Sequence, residues 1–209
     1  MTAAPSPENP PGERAPRGSS WLADAERVDH AVYAAVADTP TPRLDEVMRR
    51  LTNAANYSRL SIASAAVLAA TGGSRGRRAA RSGLTAVAAT ATVVNVVVKP
   101  LGRRRRPARP DEETAPARMV RMPSSRSFPS GHTAAAVAFA TGVSRVLPPA
   151  GVPLHLLAAL VGYSRVHTGV HYPGDVVAGA VLGAMSGGFT ADRPGPCGPR
   201  GRARSSRCR

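Results

Sequence analysis

Residues Ala79–Lys99 read AARSGLTAVAATATVVNVVVK, and this stretch decides how the chain is to be folded. From Ala79 to Val98 it carries one charge, Arg81, near its start, and it is about as long as the roughly 20 residues that a helix needs to cross a bilayer. Four further stretches share its Ala, Val, Leu and Gly composition: Leu60–Gly72, Thr133–Leu147, Val152–Tyr163 and Val176–Phe189. These are shorter than a span prefers and would borrow flanking residues. Alanine-rich stretches of this kind also suit the buried helices of a soluble bundle. Five of them in succession, with abundant Gly, Ala, Ser and Thr for close helix contact, favour the membrane. The expected fold is all-α, a membrane-embedded helical bundle of about five to six helices, preceded by amphipathic helices.

The polar residues at the ends of these stretches carry the chemistry. Lys99 follows the second stretch and opens the run Lys99-Pro-Leu-Gly-Arg-Arg-Arg-Arg106-Pro107. His132 of Pro129-Ser130-Gly131-His132 precedes the third; Ser164 and Arg165 follow the fourth; His171 and Asp175 precede the fifth. If successive helices are antiparallel, all these ends lie on one face of the bundle. Fixed cations, a turn with a hydroxyl, two imidazoles and a carboxylate four residues after one of them are what a protein needs to hold and attack a phosphate. Of the 28 basic residues Lys99 is the only lysine, which suggests that a compact ammonium is wanted there.

In order and spacing the three segments match K-x6-R-P, P-S-G-H and S-R-x5-H-x3-D, and the chain resembles the type 2 phosphatidic acid phosphatase superfamily. Those are membrane lipid phosphatases that share their site with soluble bacterial acid phosphatases and vanadium haloperoxidases. The resemblance covers Lys99–Asp175 in detail and Leu60–Phe189 in architecture. It implies that Lys99, Arg106 and Arg165 neutralise the phosphate, helped by the Ser130 hydroxyl and the Gly131 amide near a helix N-terminus. His171 is then the nucleophile, oriented by Asp175, and His132 protonates the leaving oxygen and later serves as base for water. It further implies a covalent phosphohistidine, no metal and no other cofactor. A lipid phosphate or diphosphate carried in the bilayer is the natural substrate: a polyprenyl diphosphate, a polyprenyl-linked sugar phosphate, phosphatidate or phosphatidylglycerol phosphate.

The remaining residues read more plainly. Residues 1–19 are rich in Pro, Gly and Ala and lack the apolar run of a signal peptide, so they read as a disordered arm. Residues 20–56 form two amphipathic helices, too charged to span, that lie on a membrane surface or pack on the core. Residues 57–191 are the helical core with the active site, and 192–209 a basic flexible tail in which Cys197 and Cys208 are incidental thiols. The loop Gly72–Arg81 carries Arg75, Arg77, Arg78 and Arg81 on the face opposite the site. The catalytic face carries Arg103 to Arg106, Arg109, Arg118, Arg121 and Arg126, so a simple positive-inside count favours neither side; discounting the arginines that serve phosphate binding leaves a lean toward a site facing outward. The compact size and Arg/Ala-heavy composition point to a bacterial cell membrane. His30 and His155 read as structural, and His167 lies outside the motif positions. Arg103, Arg104 and Arg105 read as contacts to lipid headgroups, and Asp111, Glu112 and Glu113 as solvated charge. The net charge of +15 would suit nucleic acid, but aromatics are too few for stacking on bases, and no nucleic-acid partner is expected. A basic protein that simply binds anionic membrane or nucleic acid, a phosphotransferase and a vanadate-dependent haloperoxidase are the rival readings.

Overall fold

The computed structural model describes residues 20–108 and 116–191. The arm before Ser20, the acidic trio Asp111–Glu113 and the tail with Cys197 and Cys208 lie outside the described residues. All regular structure among the described residues is helical, in seven helices: α1 (Ser20–Asp38), α2 (Pro42–Ala54), α3 (Arg59–Thr71), α4 (Gly73–Thr92), α5 (Gly131–Val146), α6 (Pro148–His167) and α7 (Pro173–Ala191). Helix α4 runs on through Val93–Val98 with π-type spacing and a last turn at Lys99–Leu101. Pro100 has no N–H to offer the carbonyl four residues back, and the widened turns lie directly upstream of it. Such π segments re-aim the residues that follow, here Lys99.

Helices α3 to α7 are the five apolar stretches. The main departure is at the start of α4. The basic run expected as a loop is already helical from Gly73, whose positive φ of 56° turns the chain straight out of α3. Glycine adopts that conformation without steric cost, and arginine is a good helix former, so no longer connection is needed.

The core is built around α5, whose Ala134, Ala138, Phe139, Ala140 and Val143 are buried. Small residues let its neighbours approach. A Cβ added to Gly142 would lie 2.8 Å from the Ser82 carbonyl of α4, and one on Gly187 of α7 would lie 2.9 Å from the Ala138 carbonyl. Gly183 and Gly179, one and two turns earlier on α7, meet the Ala134 and Ser130 carbonyls in the same way. Such small-residue stripes let helix backbones pack closely. The outer faces stay apolar: Ile62, Val67, Leu84, Val96, Leu156 and Val181 are all exposed. Among the described residues one helix, Gly73–Leu101, 29 residues long and containing an 18-residue window with a mean hydropathy of 1.6, is long and apolar enough to cross a membrane.

The two N-terminal helices pack on the end of the bundle where the motifs gather. Arg118 holds them there. Its guanidinium donates to the Val36 and Ala37 carbonyls, each at 3.0 Å, and to Thr39, which satisfies carbonyls left open at the end of α1. Its Nε donates to Asp45 of α2 at 2.8 Å, and the same carboxylate accepts from Thr41 and pairs with His167 of α6, both at 2.8 Å. Burial alone would raise the Asp45 pKa; the bonds from Thr41, His167 and Arg118 bring it below the usual carboxylate value.

Candidate active site

The loop between α6 and α7 is shaped by its own backbone. Gly169, at a φ of 66°, ends α6, and the Val170 and His171 amides fold back onto the Arg165 carbonyl at 3.0 and 3.1 Å. A left-handed residue just past a helix end is the common way to terminate it. The fold-back puts Arg165 and His171 side by side. Ser164 takes no part beyond the helix end, since its hydroxyl donates to the Val161 carbonyl at 2.7 Å.

His171 is buried, with Nδ1 3.4 Å from Asp175 Oδ2 and Nε2 3.3 Å from Arg106 Nη1. An acceptor on one side and a donor on the other are satisfied together by the tautomer with its proton on Nδ1. That leaves the Nε2 lone pair on the side of the cations. Burial lowers the His171 pKa to about 4, the charges of Arg106 and Arg165 adding to it and the Asp175 hydrogen bond opposing it. The imidazole is therefore neutral at physiological pH, the form able to attack.

Asp175 is held from several directions. Its Oδ2 accepts the Ser127 hydroxyl and, at 3.0 Å, the Tyr172 amide. Its Oδ1 accepts Arg104 Nη1 at 3.2 Å, and Arg104 Nη2 reaches Asp29 of α1 at 2.5 Å. Asp29 also accepts the Gly174 amide at the start of α7 at 2.6 Å. Arg104 lies over the Tyr172 ring, 4.2 Å from its centroid. Its two ion pairs differ from the headgroup contact expected of it: the side chain is committed to carboxylates, because Asp29 arrives from a helix that the motifs did not include.

Arg106 braces the loops. It donates to the carbonyls of Ser125 at 3.0 Å and Val170 at 2.8 Å, leaving His171 against the same guanidinium. Arg165 is buried, with Nη1 on the Thr52 hydroxyl of α2 at 2.8 Å. Lys99 projects toward the start of α5, its Nζ 3.6 Å from where a Gly131 Cβ would stand. An ammonium and a helix N-terminus repel each other unless an anion lies between them. His132 faces the charges of Arg165, Lys99 and Arg106, and its Nε2 meets Asn56 Oδ1 at 3.0 Å. Ser130 is buried, its amide on the Asp175 carbonyl at 2.9 Å and its hydroxyl 2.9 Å from that of Thr133.

The structure thus brings Lys99, Arg106, Ser130, Gly131, His132, Arg165, His171 and Asp175 together at one end of the bundle. It adds Ser127, Arg104, Asp29, Thr52 and Asn56, which the motif reading did not single out. Of the other histidines, His167 joins α6 to Asp45, His155 bonds the Gly151 carbonyl at 2.9 Å, and His30 stacks on Tyr172 at 4.5 Å. Among the described residues no three His, Cys, Asp or Glu side chains converge as a metal-binding group.

The model of the PAP2 superfamily matches residues 81–194. The chain belongs to the PAP2 superfamily. The matched PAP2 region takes in all three motifs and leaves α1, α2 and α3 outside. Over 93 residues the chain is 42% identical to the decaprenylphosphoryl-5-phosphoribose phosphatase of Mycobacterium tuberculosis (strain CDC 1551 / Oshkosh), a match covering 44% of this chain and 49% of that protein. The chain therefore spans about half the length of this curated relative. Two solved structures share the PAP2 fold more completely. Aquifex aeolicus LpxE superposes with a TM-score of 0.63 at 26% identity, covering 79% of this chain and 96% of that one. The transmembrane PAP2-type phosphatidylglycerolphosphate phosphatase of Bacillus subtilis gives 0.61 at 26% identity, over 80% and 84%.

Proposed function

We propose that the chain is a membrane lipid phosphate phosphatase that works through a phosphohistidine on His171, without a metal. The observation that carries this reading is the setting of His171, with Nδ1 against Asp175 and Nε2 toward Arg106. Nε2 attacks phosphorus while the bond to the leaving oxygen breaks, and His132 gives that oxygen its proton. Lys99, Arg106 and Arg165 hold the non-bridging oxygens, and the charge of the bound phosphate favours a proton on His132. Water then attacks the phosphohistidine, losing its proton to His132 as the phosphorus–nitrogen bond breaks. Ser130 and the amides at the start of α5 add hydrogen bonds to the phosphate.

The bilayer is the medium this reading requires. The length of α4, the apolar outer faces of the bundle and the likeness to the transmembrane Bacillus subtilis phosphatase support it. Helices α1 and α2, with Trp21, Leu22, Val28 and Val32 exposed, sit at the interface on the catalytic side. The site faces outward from a bacterial cell membrane, and the substrate is a polyprenyl or glycerolipid phosphate. The test is phosphate release from lipid phosphates by purified protein in detergent with excess EDTA. Wild type should release phosphate and His171→Ala should not. Release that needs added metal, or that survives the substitution, overturns the reading.

A further inference from the structure

On the His132 side the site opens into a cavity of about 210 Å³ between α3, α4 and α5. Lys99, Gly131 and His132 line it together with Asn95 and Thr90 of α4 and Ser61 of α3. Asn95 stands one turn before Lys99 and Thr90 further down the helix, about 1.5 Å per residue from the catalytic end. The remaining wall is mostly apolar, including Val94, Ala135 and Val161, with Tyr57 and Ser58 also on it.

Thr90 is the informative residue. It is 1% exposed and its hydroxyl has no hydrogen-bond partner. Threonines inside helices usually turn the hydroxyl back onto their own backbone. Thr85 and Thr92 on the same helix do so, donating to the Arg81 and Ala88 carbonyls at 2.8 and 3.0 Å. Thr90, between them, does not, and it borders the cavity. A buried hydroxyl left unsatisfied costs about 1–3 kcal/mol, and a hydrocarbon tail in the cavity would leave it so. A ligand carrying hydroxyls would satisfy it once the Thr90 side chain turns its hydroxyl into the cavity that it borders.

We propose that this cavity is the leaving-group subsite and that it accepts a hydroxyl-bearing sugar rather than an isoprenoid chain. This rests on the phosphatase reading and sharpens it. The phosphate sits among Lys99, Arg106 and Arg165, the sugar that His132 protonates enters the cavity, and its hydroxyls meet Asn95, Ser61 and Thr90. The volume admits one sugar ring and excludes a long polyprenyl chain, which stays outside the cavity.

Purified full-length protein tests this with three probes: a short-chain polyprenylphosphoryl pentose bearing a terminal phosphomonoester, the polyprenyl diphosphate of the same chain length, and dioctanoyl phosphatidate. Wild type should favour the phosphopentose lipid in kcat/KM by about 10-fold or more, the worth of one satisfied buried hydroxyl. Thr90→Val, nearly the same shape, should lower that preference about 10-fold, chiefly through KM, and Thr90→Ser should restore it. Asn95→Leu should move the same ratio. Equal use of the three probes by wild type, or a Thr90→Val loss shared equally among them, overturns the sugar subsite while leaving the phosphatase intact. Hydrolysis of none of the three by folded wild type overturns the phosphatase reading itself.

Discussion

At the scale of single residues the account turns on how His171 is held. His171→Ala should abolish turnover, and Asp175→Asn should reduce kcat on the order of 10³-fold with KM nearly kept, because the orienting acceptor is lost and the phosphate ligands are not. Burial keeps the imidazole neutral down to about pH 4. Protonation removes the attacking lone pair, so the acid limb of kcat/KM should lie in that region, well below the free imidazole value near 6.5, while loss of the His132 proton sets a separate alkaline limb. A pH profile of wild type checks it. Asp29 acts at one remove: Asp29→Asn leaves Arg104 without its second carboxylate and loosens Asp175, which should cost about 10-fold in kcat with little change in KM. Steady-state kinetics alongside thermal unfolding separate that from misfolding. The eight motif residues were legible in the sequence because their spacing is short and regular. Asp29, Thr52 and Asn56 were not, since they reach the site from helices far away in the chain, and nothing local in sequence marks a side chain that acts through tertiary contact. Arg104 was misread for the same reason, because in sequence it is one of four adjacent arginines.

At the scale of elements, the apolar stretches marked α3 to α7 and their order, and composition placed their ends within a few residues except at α4. What composition could not give is which helix sits at the centre. That role falls to α5 because its own Gly142 admits the backbone of α4 and the glycines of α7 allow contact with its backbone. Gly183→Leu, which would drive a side chain into the Ala134 carbonyl, should cost about 1–3 kcal/mol, visible as a lower unfolding temperature in detergent. The clamp at Arg118 is similarly specific. Arg118→Gln leaves Asp45 and the end of α1 under-bonded and should release the two N-terminal helices, read as faster proteolysis after Asp38 with the α4–α7 bundle still intact.

For the whole molecule, charge and hydropathy set the frame: an apolar bundle, a cationic catalytic end, and amphipathic helices laid across that end. The amphipathic pattern of α1 and α2 was plain in sequence, whereas their contribution to the site was not, because an amphipathic face names no partner. In sealed proteoliposomes, an outward-facing site would release phosphate from lipid on the same side as the catalytic end. The measurement that tests the central claim most directly is mass spectrometry of the alkaline-quenched His132→Gln protein after mixing with an aryl phosphate, whose leaving group needs no proton. This variant lacks the base for the second step, so a phosphoryl group should accumulate on His171, and His132→Gln/His171→Ala should carry none. Turnover of the aryl phosphate with the group on another residue, or with no covalent intermediate at all, would contradict the account.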